Sequence, residues 1–185
     1  MKNDIVAVLR ADHALLTQLA QELPRPPLRP GPLPAAAQQC FRDFSAALAG
    51  HLTAVRKVVY PALKSVGWRD VSSDLLIGHA QLTHAFAELL TRKPDTGAFA
   101  DGLGDLLEAT HRMVAEEQRR LLPLLSEHLD PAQRLSVGLE AGAYLVHESA
   151  QHLPLRRHGP SEWLEEARLL LGGVHAPPAA AAPGP

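Results

Sequence analysis

The sequence predicts an all-α chain: an antiparallel up-down four-helix bundle with an extra C-terminal helix. Three observations predict it. Apolar residues recur at helical spacing through four long segments. No segment sustains period-2 alternation, and aromatic residues make up only 4% of the chain. Proline or glycine punctuates every junction between the periodic segments.

The first helix should run from Asn3 or Asp4 to Leu23, where PRPPLRPGPLP (24–34) cannot be helical and reads as a stiff polyproline-like connection. The second should run from Ala35 to Val66, with Pro61 kinking it near its end, before GWRD turns the chain. A third follows from Ser72 or Ser73, either able to cap it, to Thr91, and KPDTG breaks it. The fourth is expected from Phe99 to His128, with Pro123 placed as Pro61 is in the second. Asp130-Pro131 should open a fifth helix, cap and first turn, running to His152. After LPLRRHGPS, Glu162 to Leu171 reads as a short amphipathic helix and HAPPAAAAPGP as a disordered tail. The expected organisation is a bundle over 1–130, a helical extension over 131–172 packed on it, and a tail over 173–185. HLTAVRKVVYPALKS and MVAEEQRRLLPLLSE, in the second and fourth helices, each place proline ten residues after their first residue, which suggests a loose internal repeat of helix pairs.

At 185 residues the chain can bury a real core, and 46% hydrophobic content suits a globular protein. A net charge of −2 without a long basic block argues against nucleic acid as a partner. Cys40 is the single cysteine, so neither an intrachain disulfide nor a thiolate-rich metal site can form; a buried inert thiol is its expected state. No stretch reaches the roughly 20 apolar residues needed to span a bilayer. The N-terminal MKNDIVAVLRADH interrupts its apolar runs with charge and does not read as a signal peptide, so the expectation is a cytoplasmic protein with no membrane partner.

Four residues break the apolar stripes. His13 shares a face with Leu9, Leu16 and Ala20; His51 with Phe44, Leu48, Val55 and Val58. His79 lies among Leu75, Leu76, Leu82 and Phe86, and Glu117 among Met113, Val114, Leu121 and Leu124. A buried imidazole needs a hydrogen-bond partner and a buried carboxylate a positive one. Four such groups on four helices point to one shared partner, and in a bundle core a metal ion satisfies them together. Singly, each histidine reads more simply as a satisfied core residue.

The blocks LRADHALL, HLTAVRKVVYPAL, GHAQL and AEEQRRLLPLL, in that order, resemble the hemerythrin family, specifically its HHE cation-binding domain, over residues 4 to 130. The resemblance implies a four-helix bundle whose histidines and carboxylates hold a non-haem di-iron centre, with a His and, four residues later, a bridging Glu on helices two and four. The chain departs from that pattern: Val55 stands where the second helix should carry Glu, Met113 where the fourth should carry His, and Thr83 where a second ligand is expected on the third. Matching positions leave His13, His51 and Glu117 on one iron, a 2-His-1-carboxylate set of the kind that holds mononuclear Fe(II). His79 stands opposite, as a fourth ligand or as a hydrogen-bond partner for bound water. Zn(II) and Mn(II) suit the same donors. His111 with Glu116 is a minor alternative to Met113 and Glu117, and Arg56 either faces solvent or pairs with Glu117. His84 is expected on a solvated face, and His128, His147, His152, His158 and His175 near helix ends or in loops.

No nucleophile motif, P-loop or CxxC occurs, so an enzyme would have to work through the metal, as a non-haem iron oxidoreductase. The expected function is a hemerythrin-like metal protein with a reduced, mononuclear iron site that binds O2, NO or another small ligand, for sensing, storage or oxidative chemistry. The alternative is a metal-free helical module acting through protein contacts. His13, His51, His79 and Glu117 should converge in the interior, with Val55 and Met113 lining one cavity.

Overall fold

The computed structural model describes residues 3–25, 33–67, 73–93 and 96–145, and every regular element among them is helical. The first helix (Ile5–Glu22) starts where Asp4 accepts the Val6 N–H at 2.9 Å, which satisfies one of the amides a helix start leaves bare. The second is one rod in three stretches: α-helix (Ala35–Ala54), a π-helical turn (Val55–Val59) and a final α-helical stretch (Tyr60–Ser65). The third spans Ser73–Leu89. The fourth repeats the second: α-helix (Gly97–Glu116), π turn (Glu117–Leu121), α-helix (Leu122–His128). The fifth is Pro131–Gly142.

The prolines come with π turns rather than kinks alone. Pro61 and Pro123 carry no N–H, so each helix must drop a hydrogen bond one turn earlier. Each proline follows a turn in which the bonds lengthen to i→i−5: Tyr60 N–H reaches Val55 O and Leu122 N–H reaches Glu117 O. The two texts thus share a backbone device as well as a proline. At the end of the second helix Gly67 takes φ +84°, the left-handed conformation a glycine adopts there without a Cβ penalty.

Helix one packs along helix two and helix three along helix four, while helix five lies on helix one and on the π turn of helix two. The fifth helix is fixed at its start by a capping box between Asp130 and Gln133. Arg134 then holds Asp4 at 2.8 Å, tying it to the head of helix one. It stops at Gly142, ten residues short of the expected His152. Ala143 and Tyr144 turn back on Glu140 and Ala141 with i→i−3 bonds, and Leu145 is buried in the core. Gly138 and Gly142 weaken helix propensity over this stretch. The expected connection over 26–32, the GWRD turn after Gly67, and everything after Leu145, including the short helix and the tail, lie outside the described residues.

The core falls into two clusters. One contains Leu16, Ala20, Phe44, Leu48, Phe86, Phe99, Leu103 and Val114; its Phe41 and Phe99 rings stand 5.6 Å apart and tilted. The other contains Ile5, Leu9, Val55, Val59, Leu63, Leu75, Leu121 and Leu125. On helices one, three and four the change from one cluster to the other brackets a polar residue, between Leu9 and Leu16, between Leu75 and Leu82, and between Val114 and Leu121; on helix two it falls between Leu52 and Ala54, just after His51. A polar layer therefore crosses the bundle at a single level. No helix among the described residues is long and apolar enough to cross a membrane.

Candidate metal centre

That layer is made of His13, His51, His79 and Glu117, joined by two residues the sequence reading did not single out, Asp12 and Tyr60. Glu117 opens the π turn of helix four, and its buried carboxylate is met by three imidazoles. His13 Nε2 lies 2.7 Å from Oε2; His51 Nε2 and His79 Nε2 lie 3.2 and 2.6 Å from Oε1. On the far side of His51, Nδ1 lies 2.6 Å from Asp12 Oδ2. On the far side of His79, Nδ1 lies 2.5 Å from the Tyr60 hydroxyl.

The proton positions follow from the acceptors. A carboxylate accepts and cannot donate, so each imidazole must present N–H to it. His51 faces carboxylates at both nitrogens and so carries both protons as an imidazolium. Burial alone would lower its pKa; the Glu117 charge and the hydrogen bonds to Asp12 and Glu117 overcome this and push it up to about 10. Burial would raise Glu117, but the His51 charge and the bonds from His13, His51 and His79 hold it well below the usual carboxylate range. His79 presents its Nε2 proton to Glu117, and Tyr60 O–H donates to its Nδ1. His13 is likewise protonated on Nε2, and its buried Nδ1 has no hydrogen-bond partner.

His13, His51 and Glu117 each offer a ligand atom, and these atoms all lie within 4.8 Å of one another. Ligands on opposite sides of one ion, bound at about 2.0–2.2 Å, stand roughly 4–4.4 Å apart. The donor set therefore fits a single first-row divalent cation with a few tenths of an ångström of adjustment. It does not fit a dinuclear centre. Val55 is fully buried and offers no donor, and the Met113 thioether is soft. Thr83 Oγ1 is spent on the His79 carbonyl at 2.8 Å. His79 contacts the carboxylate but stands outside the three-donor group.

Val55 and Met113 do not line one cavity as expected. Val55 lines a cavity of about 220 Å³ with Leu52, Tyr60, Leu76 and Thr83. Met113 lines a groove of about 590 Å³ between helices three and four with Leu82, Ala109 and Arg112. His79 borders both, and its side chain is 11% exposed while those of His13, His51 and Glu117 are closed off. The third helix separates the two spaces because its apolar stripe, broken at His79, runs between them.

The other candidates lie elsewhere. Glu116 is a surface residue bound to Arg119 at 2.7 Å, so it does not join His111 at the polar layer. Arg56 is exposed, and Glu117 is met by imidazoles rather than by it. His84 is exposed beside Glu88, His128 is exposed, and His147, His152, His158 and His175 lie outside the described residues. Cys40 is only half-buried; burial, with the charges of Glu22 and Asp43, pushes its thiol up to about 11, away from a reactive thiolate.

Asp12 was legible in principle. It falls three residues after Leu9 and four before Leu16, on the same stripe as His13, where a carboxylate needs explaining. Tyr60 gave a weaker signal, since an aromatic beside core valines needs none. No match to a curated protein or to a solved structure was found. The family model for the hemerythrin HHE cation-binding domain matches residues 4–125, which spans the four helices, both π turns and every member of the polar layer, and the chain therefore belongs to the hemerythrin HHE cation-binding domain family.

Proposed function

We propose that His13, His51 and Glu117 hold one iron ion, and that the protein binds O2, NO or a ligand of similar size there, for sensing, storage or oxidative chemistry. The observation that carries this reading is the convergence of three fully buried donors within 4.8 Å of one another. Charge supports it. Asp12 and Glu117 bring two buried carboxylates to the layer, and the His51 imidazolium faces both. A divalent cation that displaces the His51 Nε2 proton adds positive charge beside Glu117, where a buried carboxylate favours it. Iron supplies redox-active binding of small ligands.

The chain's own residues prepare the site. Asp12 accepts from His51 Nδ1 and holds the ring so that Nε2 faces inward, the carboxylate–histidine pairing that fixes a ligand's tautomer. Apolar neighbours, among them Val55, Leu52 and Met113, keep bulk water out. His79, the partly exposed member bordering both cavities, marks the entry for a small ligand and donates to Glu117 Oε1.

The alternative reading, a metal-free helical module, is favoured by one observation: Glu117 and His51 already satisfy each other without metal. Metal analysis of the purified protein after anaerobic incubation with Fe(II) separates the two. Close to one iron per chain supports the first reading, none supports the second, and two would overturn the ligand assignment at Val55 and Met113. Zn(II) and Mn(II) competition ranks the metals in the same experiment.

A further inference from the structure

Tyr60 has no task in the metal-binding reading, yet it is built into the layer. The residue is 9% exposed, and its ring stands edge-on to His79, with centroids 5.6 Å apart and planes at 72°. Its hydroxyl donates to His79 Nδ1 at 2.5 Å, and His79 Nε2 donates to Glu117 Oε1 at 2.6 Å. An unbroken chain of short hydrogen bonds thus joins a phenol to a carboxylate of the three-donor group. His79 Nδ1 is a bare acceptor because Glu117 fixes the ring proton on the other nitrogen. The phenol also lines the 220 Å³ cavity, within reach of whatever small molecule enters it.

The geometry points to Tyr60 as a one-electron donor to the bound metal, with His79 as the acceptor of its proton. This rests on the metal-binding reading above. A phenol is hard to oxidise while it keeps its proton, and a buried one cannot lose that proton to water. Here the acceptor is already in place. When Tyr60 gives up an electron its O–H bond breaks and an N–H bond forms at His79 Nδ1. His79 becomes an imidazolium whose charge faces the Glu117 carboxylate, and Tyr60 is left as a neutral radical.

The oxidant is a peroxide. Hydrogen peroxide takes up two electrons and two protons and leaves as two waters. One electron comes from the divalent metal, which becomes trivalent, and one from Tyr60; the two protons come from solvent, since the phenolic proton stays on His79. The chain has one other tyrosine, Tyr144, and its surroundings are opposite in kind. The Lys57 ammonium lies 5.6 Å from the centre of its ring, and a positive charge there opposes removal of an electron.

The test uses the full chain, loaded anaerobically with Fe(II), with iron counted before the reaction. The sample is mixed with hydrogen peroxide, frozen and read by electron paramagnetic resonance. We expect an organic radical whose hyperfine pattern collapses when the protein is grown on ring-deuterated tyrosine, which excludes Trp68, Trp163 and Cys40 as its seat. Tyr60→Phe, which deletes only the hydroxyl, should abolish the signal with the iron count unchanged, and Tyr144→Phe should retain it. His79→Leu, with its iron counted in the same sample, should lose most of the radical per iron bound. A signal that survives Tyr60→Phe overturns the proposal, as does its absence from wild-type protein that holds iron. Failure to take up iron would instead overturn the metal reading, and this inference with it; the iron count tells the two failures apart.

Discussion

Replacing Glu117 with glutamine removes one buried charge and changes little else in shape. In the metal-free protein the carboxylate accepts from His13 at 2.7 Å, His51 at 3.2 Å and His79 at 2.6 Å. The glutamine oxygen can sit at the Oε1 position and serve His51 and His79. Its NH2 then faces His13 Nε2, and His13 can answer by moving its proton to Nδ1, which has no hydrogen-bond partner. The charge cannot be repaired in this way. Removing one partner of a buried pair costs on the order of 3–5 kcal/mol. Independently, the rise of His51 from 6.5 to about 10 corresponds to roughly 5 kcal/mol by linkage, of which Asp12 keeps a share in the variant. We therefore expect a loss of about 3 kcal/mol near pH 6. The sign with pH follows from the raised value. The His51 contribution is full below its unfolded pKa of 6.5 and is lost as pH rises toward about 10. The Glu117 contribution is present above 4.5 and lost only as pH falls through its depressed value, so near pH 6 both act. The gap between wild type and Glu117→Gln should thus narrow steadily from about pH 6.5 to pH 10. Urea unfolding followed by helical circular dichroism, with a chelator present, measures it. A gap below about 1 kcal/mol near pH 6, or one that does not change with pH, would refute the assignment of His51 and Glu117 as a buried ion pair.

Three further outcomes are expected. Asp12→Asn should weaken iron affinity about 10- to 100-fold with helix content unchanged, read by competition against a chelator, because His51 loses the group that orients it. Val55→Glu with Met113→His should make the metal-free protein less stable by a few kcal/mol and raise iron uptake toward two per chain, with Thr83→His added to complete the second position; an unchanged iron count counts against the lost-ligand explanation. Gly138→Ala should lower thermal stability by about 1–3 kcal/mol, since a Cβ there would lie 2.0 Å from Asn3 O and 2.8 Å from Ile5 N, both backbone atoms, whereas Gly142→Ala meets nothing within 4 Å and should be neutral or slightly stabilising.

The bundle was readable because each helix carries its own apolar stripe and its own stop signals. Asp4, Asp130 and Pro131 act where a capping argument places them, since capping depends on neighbours a few residues away. The π turns were not foreseen. Proline announces a lost hydrogen bond, but whether the helix kinks or widens depends on what packs around Val55 and Glu117. The fifth helix ended early for a related reason: its periodicity continues past Gly142, while its end is set by Leu145 turning into the core. At the site, polar residues on apolar stripes identified His13, His51, His79 and Glu117, because burial makes an unsatisfied group costly and therefore visible. Asp12 escaped because attention went to its neighbour on the same stripe. Tyr60 escaped because its importance lies in one hydroxyl contact across the bundle, which no pattern within helix two encodes.

X-ray absorption at the iron edge of the Fe(II)-loaded protein tests the central claim most directly. A mononuclear site predicts a first shell of nitrogen and oxygen at about 2.0–2.2 Å, with imidazole scattering that is lost in part when His13 or His51 is replaced. It predicts no neighbouring iron. An iron–iron vector at about 3.5–4 Å, or a first shell without imidazole, would contradict the assignment of His13, His51 and Glu117 to one metal ion.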